Sequence, residues 1–161
     1  MANKGKLVTL QVYMEIKILA KENYLTAIQN SVGTNIFRNL YAEVGSERKD
    51  LLNDGELSCA LFTSSLLYLF KMITSVHATV TSTVKDLENF GWFEIPETKK
   101  GAVIVWKKKD LGDGDPHPHI GFSLGGTRAI SNNKTEGTPI EHALDFRGRE
   151  IEKILWNTKL D

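Results

Sequence analysis

The chain has 161 residues and a mass of 18.0 kDa, a length at which one domain with a substantial hydrophobic core is expected. Hydrophobic residues make up 41% and charged residues 25%, a composition that excludes a mainly disordered chain. Twenty Lys and Arg residues balance twenty Asp and Glu residues, so no overall positive field favours a nucleic acid, and we expect no nucleic-acid partner.

Neither a membrane span nor a signal peptide is evident. The longest apolar stretch, Ala60 to Ile73, is interrupted by polar residues and falls short of the roughly 18 residues that a span needs. The N-terminus reaches Gln11 and Glu15 before any signal-like apolar core, so a cytoplasmic location is expected. Because the chain has neither repeats nor a linker, we predict a single domain over 1–161.

Residues 1–50 are predicted to be mostly helical. From Leu7 to Ala20 the apolar residues recur every three or four positions, as in an amphipathic helix. A second short helix is predicted from Tyr24 to Ser31. The segment from Ile36 to Val44 fits the helical and the strand period equally, and its structure stays open at this point.

The next helix follows a turn signal at Asn53-Asp54-Gly55. Apolar side chains from Cys59 to Ile73 share one helical face, so Cys59 is expected to open a buried helix. A shorter helix is predicted between Val84 and Phe90, with Gly91 as its stop signal.

Beyond Gly91 the pattern favours strands. Short apolar runs occur at Ala102–Trp106 and Ile120–Leu124, and Gly125-Gly126 predicts a hairpin turn into Ala129-Ile130. A last alternation, Ile151–Trp156, is expected to close the sheet. Helices followed by an antiparallel sheet predict the α+β class.

Cys59 is the first candidate for chemistry. At a helix start, unpaired backbone N–H groups and the helix dipole favour the thiolate and can hold an oxyanion. A lone cysteine on an apolar face is, however, more often an ordinary core residue. The chain carries no other cysteine, and an internal disulfide is therefore excluded.

His119 is the second candidate, at the beginning of a predicted strand. An imidazole there can act as base toward a nucleophile on a neighbouring helix, and a third polar group must then hold the ring. The returning strand offers Ser131, Asn132 and Asn133 for this role. The choice among these three residues stays open at this point.

Three segments resemble the NlpC/P60 and CHAP cysteine peptidases and amidases. They are Ser58-Cys59-Ala60-Leu61-Phe62, Lys100-Gly101-Ala102-Val103-Ile104-Val105-Trp106 and His119-Ile120-Gly121-Phe122-Ser123-Leu124-Gly125, in the family's order. Those families carry an Asp-Cys-Ser-Gly-Phe-like motif, a Pro-Gly-Asp-Leu-Val-Phe-Phe-like strand and then His-Val-Gly-Ile-Tyr-Leu-Gly. This chain departs from them at Ser58, Ala60, Leu61 and Ala102.

The resemblance implies a papain-like fold of the NlpC/P60 type, with residues 51–161 as the catalytic core. It implies Cys59 as nucleophile and His119 as base, with the orienting residue at Ser131 by equal spacing or at Asn132 if the hairpin differs by one residue. Of these two we favour Asn132, because an amide reaches an imidazole more readily than a serine does. The implied activity is hydrolysis of an amide or isopeptide bond through a thioester. The implied partner is a small peptide or amide-containing substrate, a class that includes peptidoglycan fragments, and no cofactor is expected.

Two other functions share these residues. An acyltransferase would use the same groups with an amine or alcohol in place of water, and a binding module would keep the fold and cleft without catalysis. A metal site is the minority interpretation of Asp113, Asp115, His117 and His119, because Pro118 interrupts the strand and no distant ligand is evident. The oligomeric state is left open by the sequence.

Overall fold

The computed structural model describes residues 15–110, 114 and 116–161, and it belongs to the α+β class, as predicted. Its helices are α1 (Ala20–Asn30), α2 (Cys59–Leu69) and α3 (Val80–Asn89), followed by a final 3-10 turn at Thr158–Leu160. None of the helices in the described ranges is long and apolar enough to cross a membrane.

The N-terminal part differs from its prediction. Helix α1 matches the helix predicted from Tyr24, but most of the helix predicted from Leu7 lies outside the described residues. Residues 15–19 are not helical, and Ile16 is 88% exposed, so this stretch has no packed surface to support a helix. Further on, only the end of the segment from Ile36 to Val44 is regular: it forms β1 (Tyr41–Val44), which pairs with β2 (Glu47–Asp50) in a hairpin.

The central helix α2 begins at Cys59, as predicted, and is buried along most of its length. It ends earlier than the predicted Ile73. Lys71 adopts a left-handed conformation with φ of 54°, which closes the helix. Helix α3 begins four residues before its predicted start, where the side chain of Thr79 accepts a hydrogen bond from the Ser82 amide.

Six antiparallel strands form the main sheet in the order β3-β8-β4-β5-β6-β7. The strands are β3 (Phe93–Glu94), β4 (Val103–Lys109), β5 (His117–Gly125), β6 (Arg128–Asn133), β7 (Thr138–Ala143) and β8 (Ile151–Trp156). Strand β8 lies between β3 and β4 and not at an edge, and β7 was not predicted. The register pairs Gly121 with Ser131 across β5 and β6.

The two sheet faces carry different clusters. Helix α2 covers one face, where Phe62 meets Phe122 edge to face at 5.5 Å. The opposite face carries a smaller cluster of Ile104, Trp106, Ala129 and Phe146. Trp106 is fully buried and donates its indole N–H to the Leu144 carbonyl (2.8 Å).

Candidate functional site

A tight turn leads into α2 and sets the position of Cys59. Gly55 in this turn, with φ of 92°, packs against Gly137, and a Cβ atom at Gly55 would lie 2.4 Å from the Gly137 carbonyl oxygen. Asp54 forms a two-pronged ion pair with Arg38 (2.7 and 2.8 Å). The glycines allow the backbones to touch, and the ion pair ties the turn to the segment before β1.

Cys59 is half-buried at the start of α2. No side chain caps this helix, because Ser58 Oγ donates to the Arg38 carbonyl (3.3 Å) instead. Burial raises the pKa of the Cys59 thiol, while the amides of Ile120 and Ala60 and the charge of Arg149 oppose that rise. The expectation that the helix start would favour the thiolate is therefore not met. Desolvation outweighs it, and the resting sulfur is a thiol.

His119 lies inside β5 and is buried, not exposed at the end of the strand. Its ring stacks on Phe146 with centroids 4.9 Å apart and lies 5.5 Å from the Trp106 ring. Burial, the charge of Arg149 and the proximity of His142 lower the pKa of His119 to about 3. The imidazole is therefore neutral at pH 7.

Ser131, and not Asn132, contacts His119. The Nε2 atom of His119 lies 2.8 Å from Ser131 Oγ. Because Gly121 pairs with Ser131 and side chains alternate along a strand, His119 and Ser131 share one face of the sheet. The preference for Asn132 beside the imidazole is therefore wrong, because a register shift between Ser123 and Gly125 brings Ser131, and not Asn132, to the face of His119.

Asn132 has a different partner on the other face. Its Nδ2 donates to the carbonyl of Gly55 (2.6 Å), in the turn that precedes Cys59. The third alternative, Asn133, uses Oδ1 to accept from the amides of Thr135 and Glu136 (2.8 and 3.0 Å). The side chains of Asn132 and Asn133 therefore hold a turn and a loop in place, and neither contacts the His119 imidazole.

His142, on β7, adds a further hydrogen bond to the one that joins His119 to Ser131. Its Nε2 lies 2.7 Å from Ser131 Oγ, and its Nδ1 lies 2.7 Å from the Ala143 carbonyl. Sequence analysis missed His142 because β7 was not predicted. The residues Thr138–Ala143 show no regular apolar alternation, so the sequence offered no clear signal for this strand.

The partners assign the tautomers along this chain. Burial lowers the pKa of His142, so its ring is neutral and carries one proton. A carbonyl only accepts, which places that proton on Nδ1 and leaves Nε2 to accept from the Ser131 hydroxyl. Ser131 Oγ then accepts from His119 Nε2–H. The result is that His119 Nδ1 holds the free lone pair of a base.

Gly121 leaves room for this arrangement. A Cβ atom at Gly121 would lie 2.6 Å from Ser131 Cβ and 2.5 Å from the Ile130 carbonyl oxygen. Only glycine at this position lets β5 and β6 approach closely enough for the His119–Ser131 contact. The glycine two residues after the histidine thus has a physical reason within the site.

One pocket contains both Cys59 and His119. Its other lining residues are Glu56, Leu57, His117, Pro118, Lys134, Phe146, Arg147 and Arg149. No hydrogen bond joins the Cys59 thiol to His119 among the described residues, and such catalytic bonds commonly tighten only when substrate binds. The pocket therefore contains a neutral thiol and a neutral imidazole.

Arg149 was also missed, because it lies in the loop between β7 and β8, where no motif pointed to it. It is only 6% exposed, and its Nη1 donates to the carbonyls of His117 (2.9 Å) and Lys107 (3.1 Å). Burial lowers the pKa of Arg149, although a guanidinium stays charged at any physiological pH.

The alternative metal site is only partly within the described residues. Asp113 and Asp115 lie outside them, and His119 points its Nε2 at Ser131. No cluster of three His, Cys, Asp or Glu side chains suited to a metal occurs in the part of the chain that the structure describes. His77 does not line this pocket; it pairs with Asp86 at 2.7 Å.

Comparison with protein-family models finds no match for this chain, and comparison with curated protein sequences finds none either.

Proposed function

We propose that this protein is a cysteine amidase or peptidase with a papain-like arrangement, in which Cys59 attacks an amide or isopeptide carbonyl. The observation that carries the proposal is that Cys59 shares a pocket with a histidine whose Nδ1 is left as the free base by the Ser131–His142 chain. The segment order of the NlpC/P60 resemblance agrees with it.

The reaction begins from a neutral pair. As Cys59 Sγ bonds to the substrate carbonyl carbon, its proton passes to Nδ1 of His119, and the carbonyl becomes an oxyanion. No side chain caps the N–H groups at the start of α2, and in this mechanism they would stabilise the oxyanion. Ser131 holds Nε2–H throughout, so the imidazolium keeps its orientation.

Collapse of the intermediate releases the amine. His119 gives its proton to the leaving nitrogen as the C–N bond breaks, and a thioester remains on Cys59. Water then attacks the thioester carbonyl while His119 takes a proton from the water. The C–S bond breaks, His119 returns that proton to the Cys59 sulfur, and the carboxylic acid leaves.

The test uses peptide aminomethylcoumarin amides that differ in their acyl residue, with fluorescence reporting amine release. We expect release by the wild-type protein and loss of at least a thousandfold in Cys59→Ala and His119→Ala. Mass spectrometry of the quenched protein should show an acyl group on Cys59, and hydroxylamine should divert it to the hydroxamate.

The matched control is Lys108→Gln, an exposed substitution on the same sheet, which should retain wild-type rates. Amine release that survives Cys59→Ala would overturn the thiol mechanism. A folded wild-type protein that forms no acyl-enzyme with any member of the series would favour the binding-module alternative.

A further inference from the structure

The buried guanidinium of Arg149 is not neutralised by any described carboxylate. Its hydrogen bonds go from Nη1 to two main-chain carbonyls, and no ion pair involves it among the described residues. A buried charge without a counter-ion costs several kcal/mol unless other groups compensate. Two carbonyl oxygens use only part of the five N–H donors of a guanidinium.

The same side chain lines the pocket that holds Cys59 and His119. The pocket is lined by three cationic side chains, those of Lys134, Arg147 and Arg149, against a single described carboxylate, Glu56. Lys134 and Glu56 form an ion pair at 2.5 Å, and Arg147 is exposed to solvent. Among the residues that the structure describes, the uncompensated and desolvated charge in this pocket is therefore that of Arg149.

We propose that Arg149 binds a carboxylate of the substrate beside the scissile amide, so that the preferred substrates are acidic acyl compounds. This inference rests on the proposed function, because it assigns the substrate class of the same pocket. A carboxylate is planar and matches one edge of a guanidinium with two parallel hydrogen bonds. The apolar neighbours Leu57, Pro118 and Phe146 would exclude water from that pair and strengthen it.

Electrostatics within the site agree with this assignment. The charge of Arg149 is one of the causes that lower the pKa of His119. A bound carboxylate would offset that charge and make His119 a stronger base only when substrate is present. An acidic substrate would therefore promote its own cleavage.

The experiment compares two reagents that alkylate Cys59, the only cysteine of the chain. Iodoacetate carries a carboxylate and iodoacetamide carries the matching neutral amide. The ratio of their rate constants is measured by mass spectrometry for the folded protein and divided by the same ratio in urea. We expect this normalised ratio to be about ten to a hundred, the worth of one charge-assisted hydrogen-bonded pair.

Three variants locate the effect. Arg149→Met should bring the ratio close to one, and Arg149→Lys, which keeps the charge but loses the planar fork, should give an intermediate value. Arg48→Met removes an exposed arginine of the β1–β2 hairpin and is the matched control, with the wild-type ratio expected. Circular dichroism of each variant checks the fold.

Because Arg149 also joins two carbonyls, its variants could fail to fold, and a measurement on the wild-type protein stands beside them. Acetate should slow iodoacetamide labelling of Cys59, whereas acetamide at the same concentration should not. A normalised ratio at or below one, or equal protection by the two additives, would overturn the Arg149 assignment.

The two proposals fail in different ways. If Cys59 in the folded wild-type protein reacts with neither reagent, the proposed thiol chemistry fails. Carboxylate binding is then followed through the Arg149 Nε–H resonance, whose shift with acetate and not acetamide supports the assignment, and whose constancy overturns it.

Discussion

The two hydrogen bonds of the Ser131 hydroxyl determine how it can orient His119. Serine can orient a histidine only if its own hydroxyl proton points away from that ring, and His142 supplies the acceptor that draws it away. Phe146 packs against both imidazoles, with centroids 4.9 Å from His119 and 4.0 Å from His142. Ser131 and His142 thus determine which nitrogen of His119 is free, while Phe146 packs against both rings.

The first prediction is that Ser131→Ala lowers kcat by about ten- to a hundredfold and leaves KM within about twofold, since it removes an orienting bond and not a reacting group. In the wild-type protein, nitrogen NMR at pH 7 should report a proton on Nε2 of His119. The variant should show a mixture of tautomers. Unchanged kcat in a folded Ser131→Ala protein would contradict a role for the hydrogen-bonded series His119–Ser131–His142, which we call the relay.

His142→Ala provides the companion measurement, because it removes the acceptor for the Ser131 hydroxyl but does not touch His119 directly. We expect a smaller decrease in kcat, about three- to thirtyfold, on the same scale of lost transition-state stabilisation. The His119 tautomer should again become mixed. A variant that loses activity but retains the pure Nε2–H tautomer would assign His142 to packing alone.

Asn132 carries a different prediction. Its bond to the Gly55 carbonyl holds the turn before Cys59, so Asn132→Ala should lower the free energy of unfolding by about 1–3 kcal/mol. Urea titration measures this loss, and Asn132→Asp, which cannot donate to the carbonyl, should lose stability as well. The residue would belong to the catalytic relay after all if Asn132→Ala altered the His119 tautomer without changing stability.

At the scale of elements, the pocket forms where the start of α2 lies beside β5, and both elements were visible in the sequence. Their apolar residues recur with clear helical or strand periods, which is why Cys59 and His119 could be singled out. The hairpin of β1 and β2 was not visible, since Glu47–Asp50 consists of charged residues with no apolar alternation. His142 and Arg149 were lost for the same reason, as one lies on a weakly patterned strand and the other in a loop.

The register of two strands decided what spacing left open. Ser131 and Asn132 are neighbours in sequence, but their side chains lie on opposite faces of β6, so one contacts His119 and the other reaches Gly55. A regular two-residue turn at Gly125-Gly126 would pair His119 with Asn132. The observed register shift between Ser123 and Gly125 brings Ser131 to the face of His119 instead, and the sequence pattern did not reveal that shift.

Asp86 ties α3 to the loop that follows α2, and it carries the third prediction. Asp86 is buried, and its carboxylate accepts hydrogen bonds from the Ser75 amide (3.0 Å), from His77 (2.7 Å) and from Thr74. Although burial acts to raise it, these hydrogen bonds hold the pKa of Asp86 below its ordinary value. We expect Asp86→Ala to cost about 2–4 kcal/mol of unfolding free energy.

The lowered pKa of Asp86 also predicts how the stability difference between wild type and Asp86→Ala changes with pH. A depressed carboxyl pKa contributes stability above its unfolded value and loses it as the pH falls through the folded value. The gap between wild type and Asp86→Ala should therefore be constant near neutrality and shrink below about pH 4. Glu88→Ala on the same helix, which breaks only an exposed ion pair with Lys153, is the control and should cost less than about 1 kcal/mol.

For the molecule as a whole, the two buried histidines predict acid sensitivity. Desolvation is the largest cause that lowers the pKa of both His119 and His142, so both remain neutral in the folded protein while the unfolded chain takes up protons. A histidine with a depressed folded pKa favours folding above about pH 6.5 and progressively loses that contribution below it. For His119 the loss continues down to its folded pKa of about 3.

The expected slope is up to about 1.4 kcal/mol of unfolding free energy per pH unit for each histidine, beginning below pH 6.5. Urea titrations between pH 7.5 and pH 4.5 measure it, above the range in which Asp86 contributes. His119→Gln should reduce the slope and the double variant with His142→Gln should nearly abolish it, because neither glutamine takes up a proton. A wild-type stability that stays constant across this range would mean that the two imidazoles take up protons as readily in the folded protein as in the unfolded chain, and it would contradict the desolvation that lowers their pKa values.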